Sequence, residues 1–346
     1  MSAKANVFGL VVEQVEFLTF TVAHAVASMG WRVVVLADPT RNSSKQNLYY
    51  TQRISQLPGV SVETGFEPID LDLLYIELTR LTPRDRARYY CRRASRVGII
   101  TYCLRPSWVR TLLAEVMDAR QCVRCVLRAR RFVYVEGYRR IDLYGFLGAR
   151  RNLGIDVHSN FLLDPRLREI MFAGDWEPQQ HRRHRLNFIG TPSPDSRARM
   201  LQDIEAFLVR RGECLARAPD QSGDILWLNG VEVPAGQFCQ LLTDSDYTLC
   251  PPGHVRLTHR VVEALVRGSI PILHADELPL YDLGLESGKN CIAVRPGGWG
   301  EALAAALEVG HASTEQMRAN ILQMREAHLT IAASNRRLCR RLGIGA

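Results

Sequence analysis

No run in this chain approaches the ~18 consecutive apolar residues that a membrane-spanning helix needs, so a helical membrane span is not expected. The apolar part of residues 1–12 is too short for a secretory signal and leads straight into a helical pattern, so it reads as a first strand. No repeat of about 20 to 50 residues and no low-complexity tract is present, which sets aside solenoids and fibrous folds. Cys122 and Cys125 form a lone CxxC without a second pair, and zinc sites need more donors than that. Nine cysteines, an odd number at irregular spacing, suit free thiols in a reducing compartment. No aromatic-rich groove or recognition motif accompanies the basic charge, so nucleic acid is not an expected partner.

The chain is 346 residues long, with 47% hydrophobic and 23% charged residues. That describes two ordinary globular domains with cores of their own. The net charge of +8 is unevenly placed, since residues 80–151 hold 18 arginines against five acids. A solvated basic face, an anionic membrane surface and an acidic polysaccharide each account for such an excess.

Apolar runs alternate with helical patterns along the whole chain. Residues 7–12 and 31–37 read as strands around a helix at 17–29 closed by Gly30, which makes a βαβ unit. Further strands are expected at 60–63, 98–103, 132–136 and 155–158, with helices at 70–81 and 107–117. The segment 175–185 is polar, lacks periodicity and ends in a basic run, so it reads as a linker. Strands are then expected at 186–190, 225–228, 247–250 and 290–294, with helices at 194–211, 238–243 and 300–308 and a basic helical tail at 314–342. This order predicts an α/β protein of two doubly wound, Rossmann-like domains facing across a cleft. The expected division is 1–180, 181–312 and a C-terminal helical segment 313–346 packing back on the first domain.

The most informative stretch runs from Ser245 to Leu273. It reads as strand, Pro/Gly loop, helix, Gly turn and strand. A helix that starts after such a loop presents free N–H groups and a positive dipole end, which favour phosphate. Arg260 and Glu263 are three residues apart, hence on one face of that helix. Arg260 adds charge toward a diphosphate, and Glu263, one turn deeper, can accept hydrogen bonds from a ribose diol. Thr258 at the helix start can cap it or donate to phosphate.

These residues resemble the nucleotide-sugar-binding half of exostosin-like glycosyltransferases. The resemblance rests on Ser245, Tyr247, Leu249, Pro251, Gly253, Thr258, Arg260, Glu263, Ala264, Gly268, Ile270, Pro271 and Pro279, and spans roughly residues 186–307. Ser269 stands where the family usually has Cys, and Leu280 where it has Phe. The resemblance implies the two-lobed architecture called GT-B and an inverting transfer from a nucleotide-diphosphate sugar. It also implies that an Arg after Gly190 faces the diphosphate, Arg197 by position with Arg199 as the competitor. Pro251, Gly253 and His254 fall in the loop that approaches the donor.

Transfer of this kind requires stabilisation of the departing diphosphate, a base for the acceptor hydroxyl, and alignment of both. Asp244 and Asp246 have the lettering of an acidic metal motif, but their place at the start of a strand favours a turn. No metal or other cofactor is therefore expected, and the helix end with Arg260 and Arg197 is assigned the charge stabilisation. The base is expected at a strand's carboxyl end in the first domain. Glu13, Glu136 and Asp156 are the candidates, with Glu16 and His158 beside them.

The expected function is a cytoplasmic, metal-independent glycosyltransferase that builds a bacterial surface polysaccharide or lipopolysaccharide. Its expected partners are a nucleotide-sugar donor and a glycan or lipid-linked glycan acceptor, with peripheral contact to an anionic membrane surface. A non-catalytic two-lobed binding module and a nucleotide-sugar epimerase are the competing readings.

Overall fold

The structure is a computed structural model and describes residues 5–13, 15–37, 45–78, 83–102, 123–135, 152–155, 170–252, 258–281 and 283–345. It divides into two compact units, Met1–Asp164 with Ile331–Ala346, and Pro165–Thr330.

The first unit is built on a seven-stranded sheet of order β3-β2-β1-β4-β5-β6-β7. Its strands are β1 (Val7–Val12), β2 (Arg32–Ala37), β3 (Val60–Glu63), β4 (Leu71–Leu78), β5 (Ala94–Tyr102), β6 (Ala129–Val135) and β7 (Asn152–Ile155). All neighbours pair in parallel. Helices α1 (Phe17–Ser28), α2 (Lys45–Ser55), α3 (Arg84–Arg93) and α4 (Val123–Arg128) lie in the connections. Every residue of β1 is buried, as expected for a parallel strand covered on both faces. Gly30 has φ +80°, a conformation that costs glycine nothing, and it turns the end of α1 into β2.

Residues 71–78 form a strand and not the expected helix. The run Leu-Asp-Leu-Leu-Tyr-Ile-Glu-Leu is rich in leucine, a helix former, and is apolar on both faces. Periodicity cannot separate a buried strand from a buried helix there. Pairing with β1 on one side and β5 on the other decides it. Tyr75 on β4 occupies the space above Gly98 of β5, where an added Cβ would lie 2.4 Å from the Tyr75 ring.

The second unit has a six-stranded parallel sheet of order β13-β12-β11-β8-β10-β9. The strands are β8 (His184–Gly190), β9 (Leu215–Ala216), β10 (Ile225–Asn229), β11 (Ser245–Leu249), β12 (Ile270–His274) and β13 (Ile292–Val294). The helices are α5 (Asp195–Arg210), α6 (Ala235–Thr243), α7 (His259–Val266), α8 (Leu278–Tyr281), α9 (Trp299–Glu308) and α10 (His311–Met324). A hydrogen-bond ladder pins three central strands together. Asn187 Nδ2 donates to Thr248 Oγ1 at 2.8 Å, and that oxygen lies 2.7 Å from Ser269 Oγ. Ser269, the departure from the usual Cys, thus has a hydroxyl partner in a buried layer.

Two expected boundaries move. The units divide at residues 164 and 165, not at 180, because the polar segment 175–185 is packed and not a linker. Trp176 is 4% exposed and donates its indole N–H to Val266 O at 2.9 Å. Arg182 is buried with its guanidinium over the Trp176 ring, and burial, then the charge of Arg318, lower it to about 10. The tail is also not one helix. After α10, a π-helical turn (Arg325–Leu329) and Thr330 separate it from α11 (Ile331–Leu342). Only α11 and the residues after it join the first unit. Leu338, Cys339, Leu342 and Ile344 enter the core around α1, and the Tyr75 hydroxyl donates to Leu342 O at 3.0 Å. Residues 107–117 lie outside the described residues.

Candidate functional site

In the second sheet β8 has β10 on one side and β11 on the other, so the connections leave in opposite directions at that pair. Such a switch point opens a crevice beyond the carboxyl ends of the two strands, where α/β sheets hold ligands. Gly190 is the last residue of β8, and Pro251 follows β11 through the buried Cys250. Gly190 and Pro251 therefore lie at the carboxyl ends of these strands because of strand order. Gly253 and His254, with Arg256, lie outside the described residues.

Arg197, in the first turn of α5, folds back over Gly190. An added Cβ at Gly190 would lie 3.5 Å from Arg197 Nη2. The Arg197 guanidinium sits 5.7 Å from the centre of the Phe188 ring. The competitor Arg199 is exposed. Arg260, in the first turn of α7, stacks 4.2 Å from the centre of the Phe238 ring. Its Nη1 lies 3.2 Å from Glu263 Oε2, an ion pair between side chains that are 18% and 13% exposed.

Thr258 is the N-cap of α7, and its hydroxyl accepts the Arg260 N–H at 3.3 Å. The Tyr281 hydroxyl accepts the Thr258 N–H at 2.9 Å and is 3.1 Å from the Thr258 carbonyl, to which it donates. The start of α7 is thus held from two sides, and Thr258 does what a cap residue does.

Two half-buried arginines, Arg197 and Arg260, each lie in the first turn of a helix here. Burial, and then the positive charge of Arg260, lower the pKa of Arg197. Arg197 Nε is a buried nitrogen without a hydrogen-bond acceptor, whereas Arg260 Nη1 has the Glu263 carboxylate beside it. A buried guanidinium with an unfilled donor is costly alone and favourable beside an anion. His259 is pushed toward its neutral form by burial, and burial raises the thiol of Cys250 well above its usual range.

Asp244 and Asp246 sit at the opposite end of β11. Asp246 is 7% exposed and is engaged by Arg185 at 3.0 Å and Arg318 at 3.1 Å, while Asp244 closes α6 and accepts a bond from Gln240 at 2.8 Å. Among the described residues no group of three or more His, Cys, Asp and Glu is arranged to hold a metal.

Of the expected bases, Glu13 follows the carboxyl end of β1, whereas Glu136, Asp156 and His158 lie outside the described residues. Glu16 is the N-cap of α1, and burial followed by the charge of Glu13 raises its pKa. A further carboxylate escapes the sequence reading. Glu77 sits at the carboxyl end of β4, 8% exposed, and lines a small pocket with Leu10, Val12, Leu18, Thr19, Val22 and Ile100. This is the first sheet's own switch point, since β1 has β2 on one side and β4 on the other. Reading 70–81 as a helix removed Glu77 from the list of strand-end carboxylates.

Comparison with known proteins bears on the fold. Residues 170–283 match the family model of the RXYLT1 C-terminal domain. No curated protein sequence matches the chain. The catalytic domain of starch synthase IV from Arabidopsis thaliana, bound to ADP and acarbose, is similar in structure. It has a TM-score of 0.57 and 11% identity, and 99% of each chain is covered. A trehalose-6-phosphate protein from E. coli bound to UDP-2-fluoro glucose gives a TM-score of 0.57 at 10% identity, covering 99% of this chain and 100% of that one. The N-terminal domain of trehalose-6-phosphate phosphatase from Candida albicans gives 0.54 at 11%, covering 98% and 97%. The chain has the two-sheet, Rossmann-like fold of GT-B glycosyltransferases, and its second unit carries a segment similar to the RXYLT1 C-terminal domain.

Proposed function

We propose that the protein is an inverting glycosyltransferase that moves a sugar from a nucleotide-diphosphate donor to a glycan acceptor. The observation that carries this reading is the placement of Arg197 over Gly190 at the end of β8 and of the Arg260–Glu263 pair on α7, whose start Thr258 caps. In the reaction the acceptor oxygen forms a bond to the anomeric carbon as the bond from that carbon to the diphosphate oxygen breaks. The charge left on the diphosphate is met by the two guanidiniums and by the positive dipole end of α7. Glu263, one turn into α7, accepts the ribose hydroxyls and orients Arg260 through their ion pair.

The acceptor's proton passes to a carboxylate. Glu13, Glu136 and Asp156 are the candidates from strand ends, and Glu77 joins them on the same criterion. The proposed setting is the synthesis of a bacterial surface polysaccharide or lipopolysaccharide in the cytoplasm. The seven described cysteines are all free thiols, which suits a reducing compartment. No helix among the described residues is long and apolar enough to cross a membrane.

In this reading the leaving group needs no metal, because Asp246 is already bound by two arginines and Asp244 by Gln240. Sugar transfer, or slow hydrolysis of the donor, is expected to persist in excess EDTA. The measurement is nucleoside diphosphate release before and after chelation. Loss of turnover on chelation, restored by Mg²⁺ or Mn²⁺, contradicts the metal-free reading.

A further inference from the structure

Several described arginines of the first unit, on α3, on α4 and at the start of β5, are exposed. In α3, Arg84, Arg88 and Arg92 recur at every fourth residue and so share one face. The helix holds five arginines and one acid, Asp85, in ten residues. Like charges at that spacing oppose the helix. Arg88 and Arg92 are exposed, as are Arg96 just beyond α3 and Arg124 on α4. Among the described residues these four make no ion pair.

Helix α4 packs beside α3 through Cys125, which is buried next to Ala87 O, and through Arg128, whose guanidinium donates to Cys91 O and Ala94 O. With Cys125 facing inward, Leu127, two residues further on, points away from the core. It is 79% exposed. Phe66 is 51% exposed and meets the Tyr89 ring of α3 edge-on at 5.4 Å. The basic charge is nearly all arginine, since the chain's only lysines are Lys4, Lys45 and Lys289. The planar guanidinium fork suits phosphate oxygens and tolerates an interface better than an ammonium group does.

We propose that the α3–α4 face of the first unit docks on an anionic phospholipid bilayer, with Arg88, Arg92, Arg96 and Arg124 on headgroup phosphates and Leu127 inserted among them. The two observations point the same way. A polyanion in water would use the arginines but leave Leu127 in solvent, whereas a lipid interface uses both. The proposal goes beyond the sugar-transfer reading and does not depend on it.

The test is co-sedimentation of the full chain with vesicles of phosphatidylglycerol and of phosphatidylcholine, at low and high salt. Binding to phosphatidylglycerol alone is expected, weakening with salt as the screening length falls from about 10 Å at 0.1 M to about 3 Å at 1 M. Arg88→Glu with Arg92→Glu should cut partitioning about tenfold or more. Leu127→Gln should weaken vesicle binding severalfold while leaving binding to soluble polygalacturonate unchanged. Arg96→Gln with Arg124→Gln, both exposed, is the second charge variant should the first fail to fold by circular dichroism. The proposal is overturned by equal binding to both lipids, by charge variants that bind like the parent chain, or by indifference to Leu127→Gln. That last result would assign the arginines to a soluble polyanion instead.

Discussion

Removing both site arginines, Arg197→Ala with Arg260→Ala, should reduce affinity for the preferred nucleoside diphosphate by roughly 10²- to 10⁴-fold. Each guanidinium is expected to give charge-assisted bonds worth about 1.5–3 kcal/mol. Their effects should not be strictly additive, because both are expected to contact the same diphosphate. The single variants should differ in kind. Arg260→Ala also strands Glu263, whose partly buried carboxylate loses its 3.2 Å partner and then repels the diphosphate. Arg197→Ala removes a guanidinium that faces Gly190 and leaves no carboxylate unpaired. Isothermal titration of the single and double variants measures both points. An unchanged affinity in the folded double variant would remove the phosphate assignment.

Trp176→Ala should destabilise the second unit by about 3–5 kcal/mol, the range for large aromatic deletions from a core. Trp176 is 4% exposed, and its ring fills the space above Gly268, where an added Cβ would lie 2.5 Å away. Gly268 has φ +73°, so both its conformation and its lack of a side chain are required there. The indole N–H satisfies Val266 O, one of the carbonyls that the end of α7 leaves without a helical partner. Losing the ring therefore loosens the far end of the helix whose start carries Thr258 and Arg260. Urea unfolding followed by far-ultraviolet circular dichroism reads the change. A loss below about 1 kcal/mol, the scale of an ordinary surface substitution, would mean the 170–183 segment is not integral to the unit.

The structure explains why some of this was legible in the sequence and some was not. The local layout of the candidate site was legible because its parts are close in sequence. A strand, a loop, a capped helix and a glycine turn within 245–273 fix where Thr258, Arg260 and Glu263 sit relative to one another. Its non-local partners were less visible. Phe238 under Arg260, Phe188 under Arg197 and Tyr281 on Thr258 reach the site from other elements, and nothing in their own neighbourhoods marks them.

Two misreadings have one physical cause. Residues 71–78 have helix-forming leucines, and residues 175–185 have the polarity of a linker. In both cases long-range packing outweighs the local signal, through β1 and β5 for the strand and through Val266 and Gly268 for Trp176. The first misreading hid Glu77. The base could not be singled out from sequence because any carboxylate at a strand end meets the criterion, and the criterion depends on knowing which segments are strands.

The second unit is expected to hold a nucleoside diphosphate between Arg197, Arg260 and Glu263. A calorimetric panel of UDP, GDP, TDP and CMP on the parent chain and on Glu263→Ala tests it most directly. One diphosphate should bind clearly, CMP should bind weakly for want of the second phosphate, and Glu263→Ala should lose about 1.5–3 kcal/mol with the ribose contact. Absence of binding by every diphosphate in the panel, or a folded Glu263→Ala protein that binds like the parent, would contradict it.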